Sequence, residues 1–495
     1  MRCLLSLVLC FAAAPVVSAQ AFPIERWDGA FINGNRAGYV RTQFEAEKSG
    51  DEAVIRSTIE LRLTILRNND RIQLGMDNGT IETASGEVVG TFMRQLLGRT
   101  QKLQIEGKVE GNQLKLTMDG GKAMKPAPWN EKVIGLYRQY KLFKEQNAKP
   151  GDSFTYQSFE PSINLVIRNT ATAKEYQTVQ FPGTKELRRA LRVEITAEKI
   201  QGFQPPKLIQ WLDDQGEAIA QESEAPGLGK LTLVRTTKQL ALNNVGGASV
   251  DVGISQIVKV SQRIQKPYDT TRAVYRITVK DDSEAEKTFA NDARQQVRGA
   301  AGNTILVDVN SSRAMPMEEG TDKAGPEFLE SSFFIASGDA RVKTLARTAV
   351  GPETDPWRKA LRIERWVNMN MRPTNQEALA TADQVAKTLE GDCTEFAMLT
   401  AAMCRAEDIP ARTAVGLIYA ETKAGPGFAF HMWTEVHIKG RWTPIDSTLG
   451  RGYVGATHLK IADQSWHEER SMTPLLPVVR VLGKLSIEVV SLESR

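Results

Sequence analysis

Apolar and polar side chains alternate with period two along most of the stretch from residue 22 to about residue 240. In an extended strand successive side chains point to opposite faces, so this alternation commits the front of the chain to sheets with one buried face. The clearest run is Ala53-Val54-Ile55-Arg56-Ser57-Thr58-Ile59-Glu60-Leu61-Arg62-Leu63-Thr64-Ile65, and Leu114-Lys115-Leu116-Thr117-Met118 repeats the pattern. Asp77-Asn78-Gly79, Ser85-Gly86 and Glu110-Gly111-Asn112 read as turns between runs. Strands resume near Phe154 and continue through 191–195 and 231–234. One helical interruption, Asn130 to Gln146, follows from the spacing of Val133, Ile134, Leu136, Tyr137, Tyr140 and Phe143. The expectation for residues 20–242 is a large antiparallel sheet, whole or in two halves. It carries no cluster of His, Asp or Glu suited to a reaction, so it reads as a structural or binding platform.

The start of the chain has a different character. Residues 1–19 read as a secretory signal peptide: Arg2 is positive, Leu4 to Phe11 is apolar, and Val17-Ser18-Ala19 is a small-residue cleavage pattern. Cys10 follows the bulky Leu9, which disfavours a lipid anchor. No later window is long and apolar enough to span a bilayer. The expected protein is exported, periplasmic or extracellular. Four cysteines are present, and losing Cys3 and Cys10 with the leader leaves Cys393 and Cys404. Those two fall in one expected helix, roughly 16 Å apart at about 1.5 Å of rise per residue. That exceeds the ~7 Å a disulfide spans between Cα atoms, so a thiol with a chemical role is the leading explanation.

Asn243 to Gly253 reads as a linker. Ile254 to Val260, Ala273 to Val279 and Thr304 to Val309 then suggest a small β domain or an extension of the sheet over 254–316. After a loose stretch, Met317 to Glu327, the pattern turns helical. Asp339 to Ala349 and Asp355 to Met371 read as helices, the second opened by Asp355 as cap and Pro356 in the first turn. A third begins near Gly391-Asp392-Cys393 and ends before Ile409-Pro410, and strands follow at 413–419, 429–438 and 442–447. Helices first and strands afterwards indicate an α+β domain over 336–490.

Chemistry concentrates in this last part. Cys393 falls at a helix N-terminus, where free N–H groups and the positive end of the helix dipole favour a thiolate and can receive an oxyanion. Cys404 falls deep in the same helix, as a small buried hydrophobe does. Of four histidines, His431 opens the strand His431-Met432-Trp433-Thr434-Glu435-Val436-His437-Ile438. One face of it, Met432, Thr434, Val436 and Ile438, reads as buried. The other, His431, Trp433, Glu435 and His437, reads as lining a cleft. If Lys439-Gly440 is a two-residue hairpin loop, Trp433 lies opposite Asp446 and Asp446 is the diagonal neighbour of His431. A three-residue loop would turn Asp446 away. His437, His458 and His467 read as structural or solvated. Asp392 and Glu395 read as a turn residue and a partner of the helix dipole. Trp433 and Trp442 either wall the cleft or simply pack.

In their order, Gly391-Asp392-Cys393-Thr394-Glu395-Phe396-Ala397, Arg405-Ala406-Glu407-Asp408-Ile409-Pro410-Ala411-Arg412, Phe430-His431-Met432-Trp433-Thr434-Glu435-Val436 and Trp442-Thr443-Pro444-Ile445-Asp446 closely resemble the transglutaminase-like superfamily. The resemblance covers residues 336 to 465. It implies a papain-like fold and a triad in which Cys393 is nucleophile, His431 base and Asp446 the orienting carboxylate. Asp392 and Thr394 stand where animal transglutaminases have Gln and Trp, so the chain is more similar to bacterial exported relatives and neither calcium dependence nor cross-linking is implied. Asn375 or Gln376 is considered for the additional oxyanion donor.

The expected function is therefore cysteine-dependent acyl transfer on peptide or side-chain amides through a thioester, with hydrolysis favoured over transamidation. A non-catalytic module that binds peptides or proteins is the alternative. Two cysteines in one helix and two histidines on a strand do not fit structural zinc spacings. No phosphate loop, dinucleotide fingerprint or serine elbow is present, so neither metal nor cofactor is expected. Lys and Arg number 63 against 59 Asp and Glu, interspersed without a basic block. The expected partner is a peptide or protein substrate rather than nucleic acid.

Overall fold

The computed structural model describes residues 22–494 apart from 51, 68–69, 98–100, 119–121, 201–203, 226–227, 244–256, 261, 315–318, 375–379, 423–424 and 468–472. The leader at 1–19, residues 244–253 of the linker, and Asn375 and Gln376 lie outside the described residues.

From Ile24 to Thr236 the chain forms one 15-stranded antiparallel sheet made of two meanders. The first runs from Ile24–Ile32 to Gln113–Met118 and beyond; the second runs from Ser153–Glu160 to Gly229–Thr236. They join where Ile24–Ile32 pairs with Gly229–Thr236, Trp27 opposite Thr236. Residues 133–134 bridge the two meanders: Ile134 donates its N–H to the Gln157 carbonyl at 2.9 Å and bridges to Glu87 on the other side. Helix α1, Leu136–Glu145, packs against the curled sheet. Tyr140 stacks on Phe44, and Phe143 is buried among Leu191, Val193 and Leu212.

Two expectations need correction here. The helix starts at Leu136 rather than Asn130, because Val133 and Ile134 are used for bridging and the Glu82 carboxylate accepts the N–H groups of Tyr137 and Arg138. Asp77-Asn78-Gly79 is not a turn but the middle of the strand Asp70–Thr83. Gly79 pairs with Phe92, and a Cβ at Gly79 would meet the Phe92 ring at 2.2 Å. The glycine makes room for an aromatic ring, not for a chain reversal.

The C-terminal half is layered. Helices α3 (Ala340–Val350), α4 (Pro356–Asn370) and α5 (Ala382–Thr388) surround α6 (Cys393–Ala406); α2, Lys238–Leu242, precedes them near the first sheet. Every residue of α6 from Glu395 to Arg405 is buried. A helix apolar on all sides belongs in a core, and sequestering Met398, Leu399 and Met403 contributes about 1.5–3 kcal/mol apiece. The helix lies on the strands Ala411–Thr422 and Gly425–Ile438, which are flanked by Arg441–Ile445 and His458–Gln464.

The opposite face of this sheet meets a second antiparallel sheet, ordered Gln295–Ala301, Thr304–Asn310, Thr270–Val279, Leu485–Ser494. Ala273, Tyr275, Ile277 and Val279 form a common core with Leu417, Tyr419, Phe428 and Leu459. The last strand thus returns past α7 (Leu476–Val481) to complete a sheet begun two hundred residues earlier. Val258–Lys259, by contrast, extends the edge of the helix-backed sheet. The described residues contain no helix long and apolar enough to cross a membrane.

Candidate active site

Cys393 opens α6. Asp392 is the N-cap, its carboxylate accepting the Thr394 N–H at 2.8 Å, while Glu395 reaches back to the Asp392 N–H at 2.9 Å. This reciprocal capping box fixes the first turn. The other Glu395 oxygen accepts the Ala380 N–H at 2.9 Å, tying in the segment before α5. Burial, reinforced by Asp392, raises the Glu395 carboxyl well above the usual range. A Cβ at residue 391 would sit 2.2 Å from the Glu395 Cβ, so the close turn requires Gly391. Cys393 is partly exposed, whereas Cys404 is buried; both are free thiols. Burial pushes the Cys404 thiol far up, which keeps it protonated.

His431 and Asp446 are joined by the hairpin. Ile438 pairs with Arg441 and Thr434 with Ile445, so the loop is the two residues Lys439 and Gly440. Their φ angles of 49° and 71° are those of a type I′ turn. In this register Asp446 falls diagonal to His431, and His431 Nε2 lies 2.8 Å from Asp446 Oδ2. Cys393 stands near enough to the same imidazole to favour its charged form. Burial disfavours charge on His431, but the Asp446 carboxylate, its hydrogen bond and the neighbouring Cys393 outweigh that and push the ring up to about 10. Burial also opposes charge on Asp446; His431 and a bond from His458 overcome it and hold the carboxyl far below its ordinary range.

Asp446 is held from every side. Its Oδ1 accepts the Thr448 N–H at 2.9 Å, and its own N–H donates to Glu364 at 3.1 Å, as does Gly452. Asn368 donates to the Ser447 carbonyl and Thr400 to the Ser447 hydroxyl, both at 2.8 Å. Helices α4 and α6 thus fasten the loop that follows the carboxylate. Burial, against the two backbone donors, raises Glu364 to about 7.

The face of the His431 strand expected to line a cleft is instead largely covered. Trp433 is 1% and Glu435 2% exposed, because the second sheet packs there. Glu435 joins a buried network in which Lys460 reaches Glu435 at 2.9 Å, Asp292 at 3.0 Å and Asp463 at 2.8 Å, with Arg412 2.7 Å from Glu435. The Trp433 ring lies under His431 and edge-on to His458. Trp442 is away from the triad, packing on Phe328 and His437, with Arg412 over its ring. His437 bonds the Asp322 carbonyl and His467 faces Glu330.

His458 is the main departure. Its sequence surroundings suggest a structural or solvated side chain, yet its Nε2 lies 3.1 Å from the same Asp446 oxygen that His431 uses. Nothing local in the sequence reveals this, because it depends on the chain returning beside Ala411–Thr422. Glu364 left a clearer signal: it stands in the otherwise apolar stripe Ala360, Ile363, Val367 of α4. His431, Asp446 and His458 offer donor atoms within 4.8 Å of one another and could in principle hold a cation. Zinc bonds of about 2.0–2.2 Å at tetrahedral angles would separate nitrogen and oxygen by roughly 3.3 Å. The observed 2.8 and 3.1 Å are hydrogen-bond distances to one shared oxygen.

The comparisons fall on this part of the molecule. The family model of the transglutaminase-like superfamily matches residues 343–447. No curated protein matches. Among solved structures, a "putative cysteine protease" from Cytophaga hutchinsonii is 19% identical over 46% of this chain and 86% of its own, at a TM-score of 0.30. A β-barrel-like protein of a domain of unknown function from Brucella abortus is 13% identical over 43% and 96%, at 0.31. A "putative protease" from Parabacteroides distasonis is 10% identical over 74% and 64%, at 0.18. The matched segment runs from α3 to the residue after Asp446 and spans Cys393, His431 and Asp446. Residues 343–447, in the C-terminal part of the chain, are thus the segment that matches the transglutaminase-like superfamily.

Proposed function

We propose that the protein is an exported cysteine acyl-transfer enzyme with a papain-like arrangement, in which Cys393 is the nucleophile, His431 the acid–base and Asp446 the orienting carboxylate. The observation that carries this reading is the 2.8 Å hydrogen bond between His431 and Asp446, with Cys393 near the same ring at the N-terminus of a buried helix. In this reading His431 takes the thiol proton of Cys393, and Asp446 balances the positive charge that the ring then carries. The sulfur attacks an amide carbon of a peptide or protein, and the carbonyl electrons move to an oxyanion facing the helix N-terminus. His431 returns its proton to the departing amine as the C–N bond breaks, leaving a thioester. Water, deprotonated by His431, attacks the thioester and releases the acid and the thiol. Water is taken as the acceptor, and the amine arm of the experiment below separates hydrolysis from transfer.

Alkylation by iodoacetamide across pH tests the nucleophile, with Cys393→Ala as background. Wild-type Cys393 should react at pH 5–6 at least tenfold faster than an unperturbed thiol of pKa about 8.5. His431→Ala should abolish the excess. An ordinary thiol profile unaffected by His431→Ala excludes the activated nucleophile. Mass spectrometry of an amide substrate with and without added amine then separates hydrolysis from transfer.

A further inference from the structure

The carboxylate of Asp446 is shared by two imidazoles, and only one of them faces Cys393. His458 is fully buried, begins the strand His458–Gln464, and directs Nε2 at Asp446 Oδ2. Its surroundings are few. On the hairpin these are Asp446, His431 and the Trp433 ring; from the second sheet and its approach come the Tyr268 ring and the buried Arg294. Arg294 donates to the His458 carbonyl at 2.8 Å and repels charge on the ring. A donor to Asp446 must carry its proton on Nε2. Nδ1 is then bare, and among the described residues it has no hydrogen-bond partner.

Two consequences follow from this protonation. Among the described residues Nδ1 meets no acceptor or donor, so the contact that defines His458 is the one its Nε2 makes to Asp446. Leaving a buried nitrogen unpaired is also unfavourable, so a residue that merely filled this space would be better apolar. The compensating contact is the bond to a carboxylate that is 1% exposed and whose ionised form depends on its donors. We propose that His458 is a positioning residue, a neutral donor that holds Asp446 Oδ2 in line with His431 Nε2. The second sheet acts through it: Arg294 pins its carbonyl, and Thr457 beside it bonds the Pro267 carbonyl at 2.8 Å.

The inference rests on the proposed function for its catalytic meaning, but its geometry can be tested independently. His458→Leu removes the donor, and His458→Gln restores one near the position of Nε2. The low-field proton resonance of the His431–Asp446 bond, observed by NMR, reports alignment without any reaction. Iodoacetamide alkylation reports its effect on Cys393. In His458→Leu that melts as a folded protein, the resonance should broaden or vanish and alkylation should slow about tenfold or more. His458→Gln should recover both. An unchanged resonance and rate in folded His458→Leu, or loss of both in folded His458→Gln, overturns the assignment. If His458→Leu does not fold, the Gln variant alone decides. Should wild-type Cys393 react as an ordinary thiol, the acyl-transfer reading falls, while the resonance still settles the role of His458.

Discussion

Glu364 accepts the N–H groups of Asp446 and Gly452 on the same oxygen, Oε1. The second oxygen is therefore available to hold a proton, and burial raises the group from 4.5 to about 7. A carboxyl raised by folding binds protons more tightly in the folded chain. Its contribution is full below pH 4.5 and is lost as pH rises through about 7. Glu364→Gln keeps the accepting oxygen and removes the titration. Urea melts of the variant should lose this component of pH dependence between pH 4.5 and 7 and show equal or greater stability at pH 8. Glu364→Leu leaves one buried and one partly buried donor unpaired and should cost roughly 1–4 kcal/mol at any pH. Which residues approach Asp446 was only partly legible beforehand. The alignment with His431 followed from one hairpin's periodicity and its Lys-Gly turn, both local. His458 and Glu364 arrive from elements far along the chain, and no local pattern states which stripe meets which strand.

At the level of elements, legibility follows the same division. Helix α6 could be read from its cap, its proline-bounded end and its apolar composition. The strands of the last domain could be read from alternation. Asp77-Asn78-Gly79 misleads because a glycine in a strand and a glycine in a turn look alike until the cross-strand ring of Phe92 is known. The strand His431–Ile438 misleads in another way: polar residues on one face suggest solvent, but Glu435 is neutralised by Lys460 and Arg412 in a buried network. Burial disfavours charge on Lys460, but three carboxylates outweigh it and raise its pKa. Removing the Lys460 cation breaks its pairs with Glu435, Asp292 and Asp463 together and leaves Arg412 to face Glu435, which is 2% exposed. Lys460→Met should therefore lower unfolding free energy by about 3–5 kcal/mol, measured by urea melts. Pairing it with Glu435→Leu should recover part of the loss; a doubly substituted protein less stable than Lys460→Met would contradict the network's role.

Across the whole molecule, the site depends on a sheet built from distant parts of the chain. Leu485–Ser494 pairs along nearly all of Thr270–Val279, with Ile277 opposite Ile487. Deleting residues 485–494 uncovers that edge together with Ile277 and Tyr275 beneath it. Exposed apolar edges recruit other chains, so the truncated protein should sediment as aggregate, and its soluble fraction should show slowed Cys393 alkylation through loss of the His458 support. The arrangement also sets a clock. Residues 343–447 can emerge from synthesis complete with Cys393, His431 and Asp446, but the sheet bearing Arg294 closes only after residue 494 has been made. The support that His458 gives Asp446 thus depends on a strand that follows, along the chain, the two residues it aligns.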